Sequence, residues 1–255
     1  MFSLEIRCDP EDHDLLIAEL WEQGCAGISE LSDGCVRVFF EDTADRAALG
    51  GLYPGAAVRA EEQRDWVETA RSLLEPINVG ARFFLVPEWR DDATPPGRFR
   101  IQINPGMAFG TGVHETTRLC LEALEDFLEP GMTVLDVGTG SGILAEASRL
   151  LGAGKVFACD IDPVAVEIAR SRCGLSFTGS VDAAGSGIAD VTIANISPDA
   201  VIQLAPDLLR SVKTGGILVA SGFEAHEVDS VKKALPAIRE IRTKGTWVLA
   251  VIPRS

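Results

Sequence analysis

The chain has 255 residues, of which 46% are apolar and 24% charged, an ordinary composition for a soluble globular protein of one large or two smaller domains. No apolar run approaches the ~20 residues that span a bilayer, and Met1–Asp9 lacks the basic start and long apolar run of a secretory signal, so a cytoplasmic protein away from membranes is expected. Of the net charge of −15, residues 1–65 carry −10 (15 Asp and Glu against 5 Arg and no Lys), which argues against direct binding of nucleic acid and leaves either a merely well-solvated face or a surface for a basic partner.

Residues 3–8 alternate and predict a strand. Apolar residues 16, 17, 20 and 21 make one stripe of a helix over 14–23, ended by Gly24. Residues 26–31 and 35–41 predict two strands around the turn Ser32-Asp33-Gly34, followed by a short helix over 43–52 and a strand over 56–61. The order β-α-β-β-α-β is the split βαβ, ferredoxin-like pattern, which assigns residues 1–64 to a small α+β domain. Apolar positions 66, 70, 73, 74 and 77 predict an amphipathic connecting helix stopped near Pro76, within a linker over 65–80. Residues 83–87 predict a strand and 91–97 an exposed loop.

From residue 115 strands alternate with helices: helix 115–128, strand 132–137, helix 143–151, strand 155–160, helix 163–172, then strands near 175–179, 190–195 and 215–221. The last two strands, 237–243 and 246–252, flank the turn Lys244-Gly245 and are expected to be antiparallel. Residues 81–255 are therefore expected to form an α/β domain with a Rossmann-like, seven-stranded, mostly parallel sheet covered on both faces.

The six cysteines form no CxxC pair and sit mostly among apolar neighbours, as free buried thiols in a reducing compartment would. His114-Glu115 resembles the start of a zincin motif, but position 118 is Arg, so no metal is expected.

Val134-Leu-Asp-Val137 runs into Gly138-Thr-Gly-Ser-Gly142 and a helix. This is either a tight ligand-free turn or a cofactor loop. A dinucleotide site spaces its glycines GxGxxG, with helix-start amides facing a pyrophosphate. Here Gly138 and Gly140 alternate with other residues, and Asp136 precedes them; a carboxylate there opposes a pyrophosphate and suits a ligand with an ammonium and a sulfonium. S-adenosylmethionine (SAM) is such a ligand. Asp160, 22 residues after Gly138, is placed to accept hydrogen bonds from both ribose hydroxyls, whereas Asp162 before Pro163 suits a helix N-cap. Asn195 ends a strand and is followed by Ile-Ser-Pro; it is either a turn former or an amide whose carbonyl accepts a hydrogen bond from an incoming amine.

Asn104–Thr117 is too glycine-rich for regular structure. Gly106, Gly110 and Gly112 allow close backbone approach to a ligand, Phe109 is placed to pack near its methionine end, and Thr116 or Thr117 either hydrogen-bonds it or only starts the helix.

The segment Asn104-Pro-Gly-Met-Ala-Phe-Gly-Thr-Gly-Val-His-Glu-Thr-Thr117, with Val134–Ile143, Cys159–Pro163, Ala194-Asn195-Ile196 and Arg64-Asp65-Trp66 in the same order, resembles the PrmA family over most of the chain. These are class I SAM-dependent methyltransferases of the eleventh protein of the bacterial large ribosomal subunit. The resemblance implies that Thr117, Gly138, Asp160 and Asn195 contact SAM, that the N-terminal domain recognises the ribosomal protein, and that lysine side-chain amines and an α-amino group are methylated, leaving S-adenosylhomocysteine (SAH). It departs from the family pattern at Val113 and Glu115, at Thr139 in place of Cys, and at Ser197 in place of Leu. The span from Arg172 to Asp190 is short, with Asp182 the remaining candidate for the adenine. A monomer is expected. The rival readings are a lysine methyltransferase of the same fold acting on another protein and a non-catalytic SAM- or protein-binding module.

Overall fold

The computed structural model describes residues 2–7, 16, 17, 20, 23–31, 35–60, 74–104 and 114–255. They fall into two compact units, Met1–Leu74 and Glu75–Ser255. Among the described residues no helix is long and apolar enough to cross a bilayer.

The first unit is a four-stranded antiparallel sheet built from β1 (Phe2–Arg7), β2 (Gly27–Glu30), β3 (Cys35–Phe40) and β4 (Ala57–Ala60), in the order β2-β3-β1-β4. Alternation dictates its two faces: Phe2, Leu4 and Ile6 of β1 and Val36, Val38 and Phe40 of β3 are buried together with Leu20 and Leu49. On the other face Glu5 lies opposite Arg37 and pairs with it and, at 3.1 Å, with Arg59; the Arg37 hydrogen bond holds the Glu5 carboxyl below its ordinary value. Helix α1 (Arg46–Leu52) is capped by Asp45, which accepts from the amides of Ala47 and Ala48 at 3.0 and 3.1 Å. Most of the expected helix 14–23 and the turn 32–34 lie outside the described residues, as do residues 65–73 of the expected connecting helix, while 74–76 are not helical.

The second unit opens with a small sheet that sequence reading only half anticipates. β6 (Phe83–Pro87) is fully buried, antiparallel to β5 (Ile77–Val79) and parallel to β7 (Phe99–Ile103). Ile77, counted in the sequence as the last apolar position of the connecting helix, belongs to β5, and β7 was not expected at all. Helix α2 (Glu115–Phe127) ties onto this sheet: Glu125 accepts from the amides of Ala81 and Arg82, both at 2.8 Å, in the turn between β5 and β6.

The main sheet comprises β8 (Thr133–Val137), β9 (Lys155–Asp160), β10 (Leu175–Thr178), β11 (Ala189–Asn195), β12 (Val212–Glu224), β13 (Glu240–Lys244) and β14 (Trp247–Pro253). Their order is β10-β9-β8-β11-β12-β14-β13, parallel from β10 to β12, with β14 antiparallel to both its neighbours. Helices α3 (Ile143–Leu150), α4 (Pro163–Cys173), α5 (Pro198–Ser211) and α6 (Val228–Ala234) connect the strands. Leu135, Val137, Ala194, Leu218 and Phe223 of the sheet pack with Val201, Ala205 and Leu208 of α5 in one buried cluster. This is the expected α/β architecture of seven strands. From β8 the chain runs outward through β9 and β10, then crosses back to β11 on the other side. The reversal leaves a crevice at the carboxyl ends of β8 and β11, where ligands bind in open α/β sheets.

Candidate functional site

The sequence brings Asp136, Gly138 and Gly140 to that crevice by ending β8 in a turn of left-handed glycines, with φ of 70°, 51° and 76° at Gly138, Gly140 and Gly142. The amides of Gly138 and Thr139 donate to the Cys159 carbonyl at 2.9 and 3.0 Å, which ties the turn to β9. Asp160, the last residue of β9, completes the tie: Oδ2 accepts from the Gly140 amide at 2.9 Å and Oδ1 from the Asp162 amide at 3.0 Å. Asp162 caps α4 through the Val164 amide at 2.8 Å, with Pro163 in the first helical position.

Above these turns lies a cavity of about 430 Å³. Gly138, Gly140 and Asp160 form one wall, and Ile161, Ile196, Ala200 and Leu204 give it apolar surface, with Gly179 and Ser180 after β10 beside them. Asn195 and Ser197 line it from the end of β11. Asp136 is 1% exposed. The Thr139 hydroxyl donates to its Oδ2 at 2.7 Å, while Oδ1 has no hydrogen-bond partner among the described residues. Burial pushes the Asp136 carboxyl up to about 7; the Thr139 hydroxyl holds it down and the nearby Asp160 charge adds to the rise.

Asn195 is 9% exposed. Its Nδ2 donates a long hydrogen bond, 3.4 Å, to the hydroxyl of fully buried Thr117, and its Oδ1 likewise lacks a partner among the described residues. Thr117 stands in the first turn of α2, which His114 caps: Nδ1 accepts from the Thr116 amide at 3.3 Å and lies 2.8 Å from the Thr116 hydroxyl. The His114 ring meets Trp247 edge to face, 4.5 Å between centroids.

Two buried acceptors without donors among the described residues are costly as they stand, at roughly 1–3 kcal/mol each. A ligand bringing N–H donors or an ammonium removes that cost. Asp160 at the crevice offers further lone pairs to a diol, and the apolar wall suits a flat ring. SAM possesses all three features, so the residues present fit it. Thiol nucleophiles do not fit: burial and the Asp136 charge push Cys159 up to about 12 and raise Cys120 as well, leaving both protonated. All the described cysteines are free.

Of the sequence candidates, Gly138, Gly140, Asp160 and Asn195 line one cavity, Asp136 lies buried under the turn, and Thr117 joins through Asn195. Phe109, Gly106, Gly110 and Gly112 lie outside the described residues. Asp182 is not among the lining residues and accepts from the neighbouring Ala183 amide at 2.9 Å. Sequence reading missed Ile161, Gly179, Ser180, Ala200 and Leu204. Gly179 and Ser180 were open to the rule that binding residues follow strand ends; Ile161, an apolar residue 80% exposed between two aspartates, becomes informative only with its exposure known.

A family profile described as "Ribosomal protein L11 methyltransferase (PrmA)" matches residues 51–254. Ribosomal protein L11 methyltransferase of Symbiobacterium thermophilum is 42% identical over 193 residues, 73% of this chain and 63% of that protein. That of Pelobacter propionicus is 41% identical over 219 residues, 79% of this chain and 71% of that one. The chain thus spans only about two thirds of the length of these relatives. In fold it is similar to the crystal structure of ribosomal protein L11 methylase from Lactobacillus delbrueckii subsp. bulgaricus, with a TM-score of 0.65 and 31% identity over 71% of this chain and 100% of that one.

Proposed function

The chain belongs to the ribosomal protein L11 methyltransferase family, and from that premise we propose that it is a cytoplasmic enzyme that methylates amino groups of ribosomal protein L11, both lysine side chains and the N-terminal α-amine, with SAM as methyl donor. SAM, when bound, supplies a methyl group already activated by its sulfonium. The work left to the protein is holding, orienting and desolvating.

The observation that carries this reading is Asn195: a buried amide at the carboxyl end of β11, with an Oδ1 that no donor among the described residues satisfies. Its role is to accept a hydrogen bond from the acceptor amine and turn the nitrogen lone pair toward the methyl group. Thr117 restrains the amide from the other side. Asp160 receives the ribose hydroxyls, and Ile161, Ile196, Ala200 and Leu204 enclose the adenine. Asp136 faces the cationic end of the cofactor, with Phe109 near its methionine part. Gly138 and Gly140 admit the cofactor close to the backbone. A lysine ammonium, near 10.4 in water, must lose its proton before it reacts; entry against the apolar side chains of the site favours that loss to solvent.

Residues 1–64 serve as the recognition module, 65–80 as the connector and 81–255 as the catalytic part. The acidic first quarter of the sequence supports this division as a surface suited to a basic substrate. The enzyme acts as a monomer and makes no direct contact with nucleic acid.

The test is mass spectrometry of purified L11 after incubation with the enzyme and SAM, with Asn195→Ala alongside. Mass increases in 14-dalton steps are expected, slowed about 100-fold in the variant. No increase in L11, despite bound cofactor, would move the substrate to another protein.

A further inference from the structure

Ile196 follows Asn195 directly, lines the cavity, and is held between glycines from two different strands. On one side is Gly138: a Cβ built there would stand 2.3 Å from Ile196 Cγ2. On the other is Gly222, φ +99°: a Cβ there would stand 2.0 Å from the Ile196 carbonyl oxygen, 2.7 Å from its carbon and 3.0 Å from its nitrogen. Gly222 sits in the bulge of β12 between Ser221 and Phe223, and Ser221 is the register partner of Asn195. The Ile196 amide donates to the Ser221 carbonyl at 3.2 Å, closing the contact. The backbone of β12 therefore presses on the peptide just after Asn195, and the Ile196 side chain presses on the first residue of the glycine turn.

We propose that Gly138, Ile196 and Gly222 form a clamp that sets the direction of the Asn195 amide, with Ile196 and Gly222 as positioning residues for the acceptor amine. This rests on the reading of Asn195 given above. A turn leaving the end of a strand swings easily unless packed on both sides. Ile196 has contacts on both sides, and one of them is backbone, which yields less than a side chain. A Cβ at Gly222 would meet all three of those Ile196 backbone atoms, so the push falls on the turn that carries Asn195. The wall residues Asp160 and Ser180 come from other strands, at the ends of β9 and β10. The clamp thus governs acceptor geometry more than the hold on the cofactor.

Gly222→Ala tests this through three readouts against the unaltered protein. The first is the Asn195 side-chain amide pair in the ¹⁵N–¹H spectrum without cofactor, assigned by its loss in Asn195→Asp. The others are the Kd for SAH by calorimetry and kcat on the protein substrate. The amide pair is expected to shift, kcat to fall about 10- to 100-fold, and the Kd to stay within about threefold, since a misplacement of about 1 Å has this scale of effect on rate. An unmoved amide pair, or parallel losses of kcat and affinity together with a lower Tm, would overturn the clamp. Should Gly222→Ala fail to fold, Ile196→Ala, which opens space beside Gly138, is read by the amide pair alone, because Ile196 itself lines the cavity: the pair is expected to shift, and an unmoved pair overturns the clamp. If the unaltered protein binds SAH yet methylates nothing, the transfer reading fails while the amide spectrum still decides the clamp.

Discussion

Burial at 1% exposure lifts the Asp136 carboxyl from an ordinary 3.8 to about 7, and this gives stability a pH dependence opposite to that of an ion-paired acid. Below about pH 4 the folded and unfolded chains both hold the proton, and the site costs nothing. Between there and about 7 the unfolded chain binds fewer protons than the folded one, so stability falls with rising pH by up to about 1.4 kcal/mol per unit. Above about 7 the loss is complete. Asp136→Asn is expected to gain stability relative to the unaltered protein from pH 4 to 7 and then level off, as read by urea denaturation at a series of pH values. A difference that stays flat across that range would place the cost in another group. Asp136, Gly138, Gly140, Asp160 and Asn195 were legible in the sequence because each lies at or just past the carboxyl end of a strand, and parallel strands bring those ends to one edge. Ala200 and Leu204 were not legible. Their place on the cavity wall depends on how α5 lies across the sheet, and no local spacing encodes that.

At the scale of elements, α2 holds both the first hydroxyl of the site and the turn of the small sheet. Its N-terminal turn carries Thr117, and two turns on, Glu125 satisfies the amides of Ala81 and Arg82. Glu125→Ala leaves those amides to water at a part-exposed position, and a loss of about 1 kcal/mol is expected in chemical denaturation. An unchanged midpoint and slope would mean the turn keeps its shape without that carboxylate. The strands of this region show why sequence reading stopped short. β5 has three residues, too few for alternation to register, and follows a helical stripe that claimed Ile77. β7 does alternate, with Ile101 and Ile103 buried, but five residues between a proline-rich loop and a glycine-rich segment give a weak signal. β12 was expected over 215–221 and runs from 212 to 224. Gly215, Gly216 and Gly222 punctuate its sequence, yet Val212 still pairs with Ala189, and Phe223 and Glu224 pair past the bulge with Val248 and Trp247. Register with neighbours far along the chain outweighed local preference.

For the whole molecule, the division into Met1–Leu74 and Glu75–Ser255 allows the two roles to be separated by experiment. The fragment 75–255 is expected to fold, to bind SAH with an affinity near that of the full chain, and to lose methylation of L11 by 100-fold or more, on the order of the binding energy that remote contacts supply to catalysis. Equal activity in fragment and full chain would remove recognition from the first unit. The alternation of strands and helices made the large sheet legible from sequence, but nothing local specified which strand lies beside which. That ordering has a consequence for synthesis. β14 lies between β12 and β13, so β13 is synthesised before the strand it must pair with. A chain truncated after Lys244 would carry a bare hydrogen-bonding edge along β12, a template for pairing with other chains. By then β8 to β11 and α5, which surround the cavity, have all been made. The elements that line the ligand pocket therefore all precede in sequence the strand that closes the sheet beside β12.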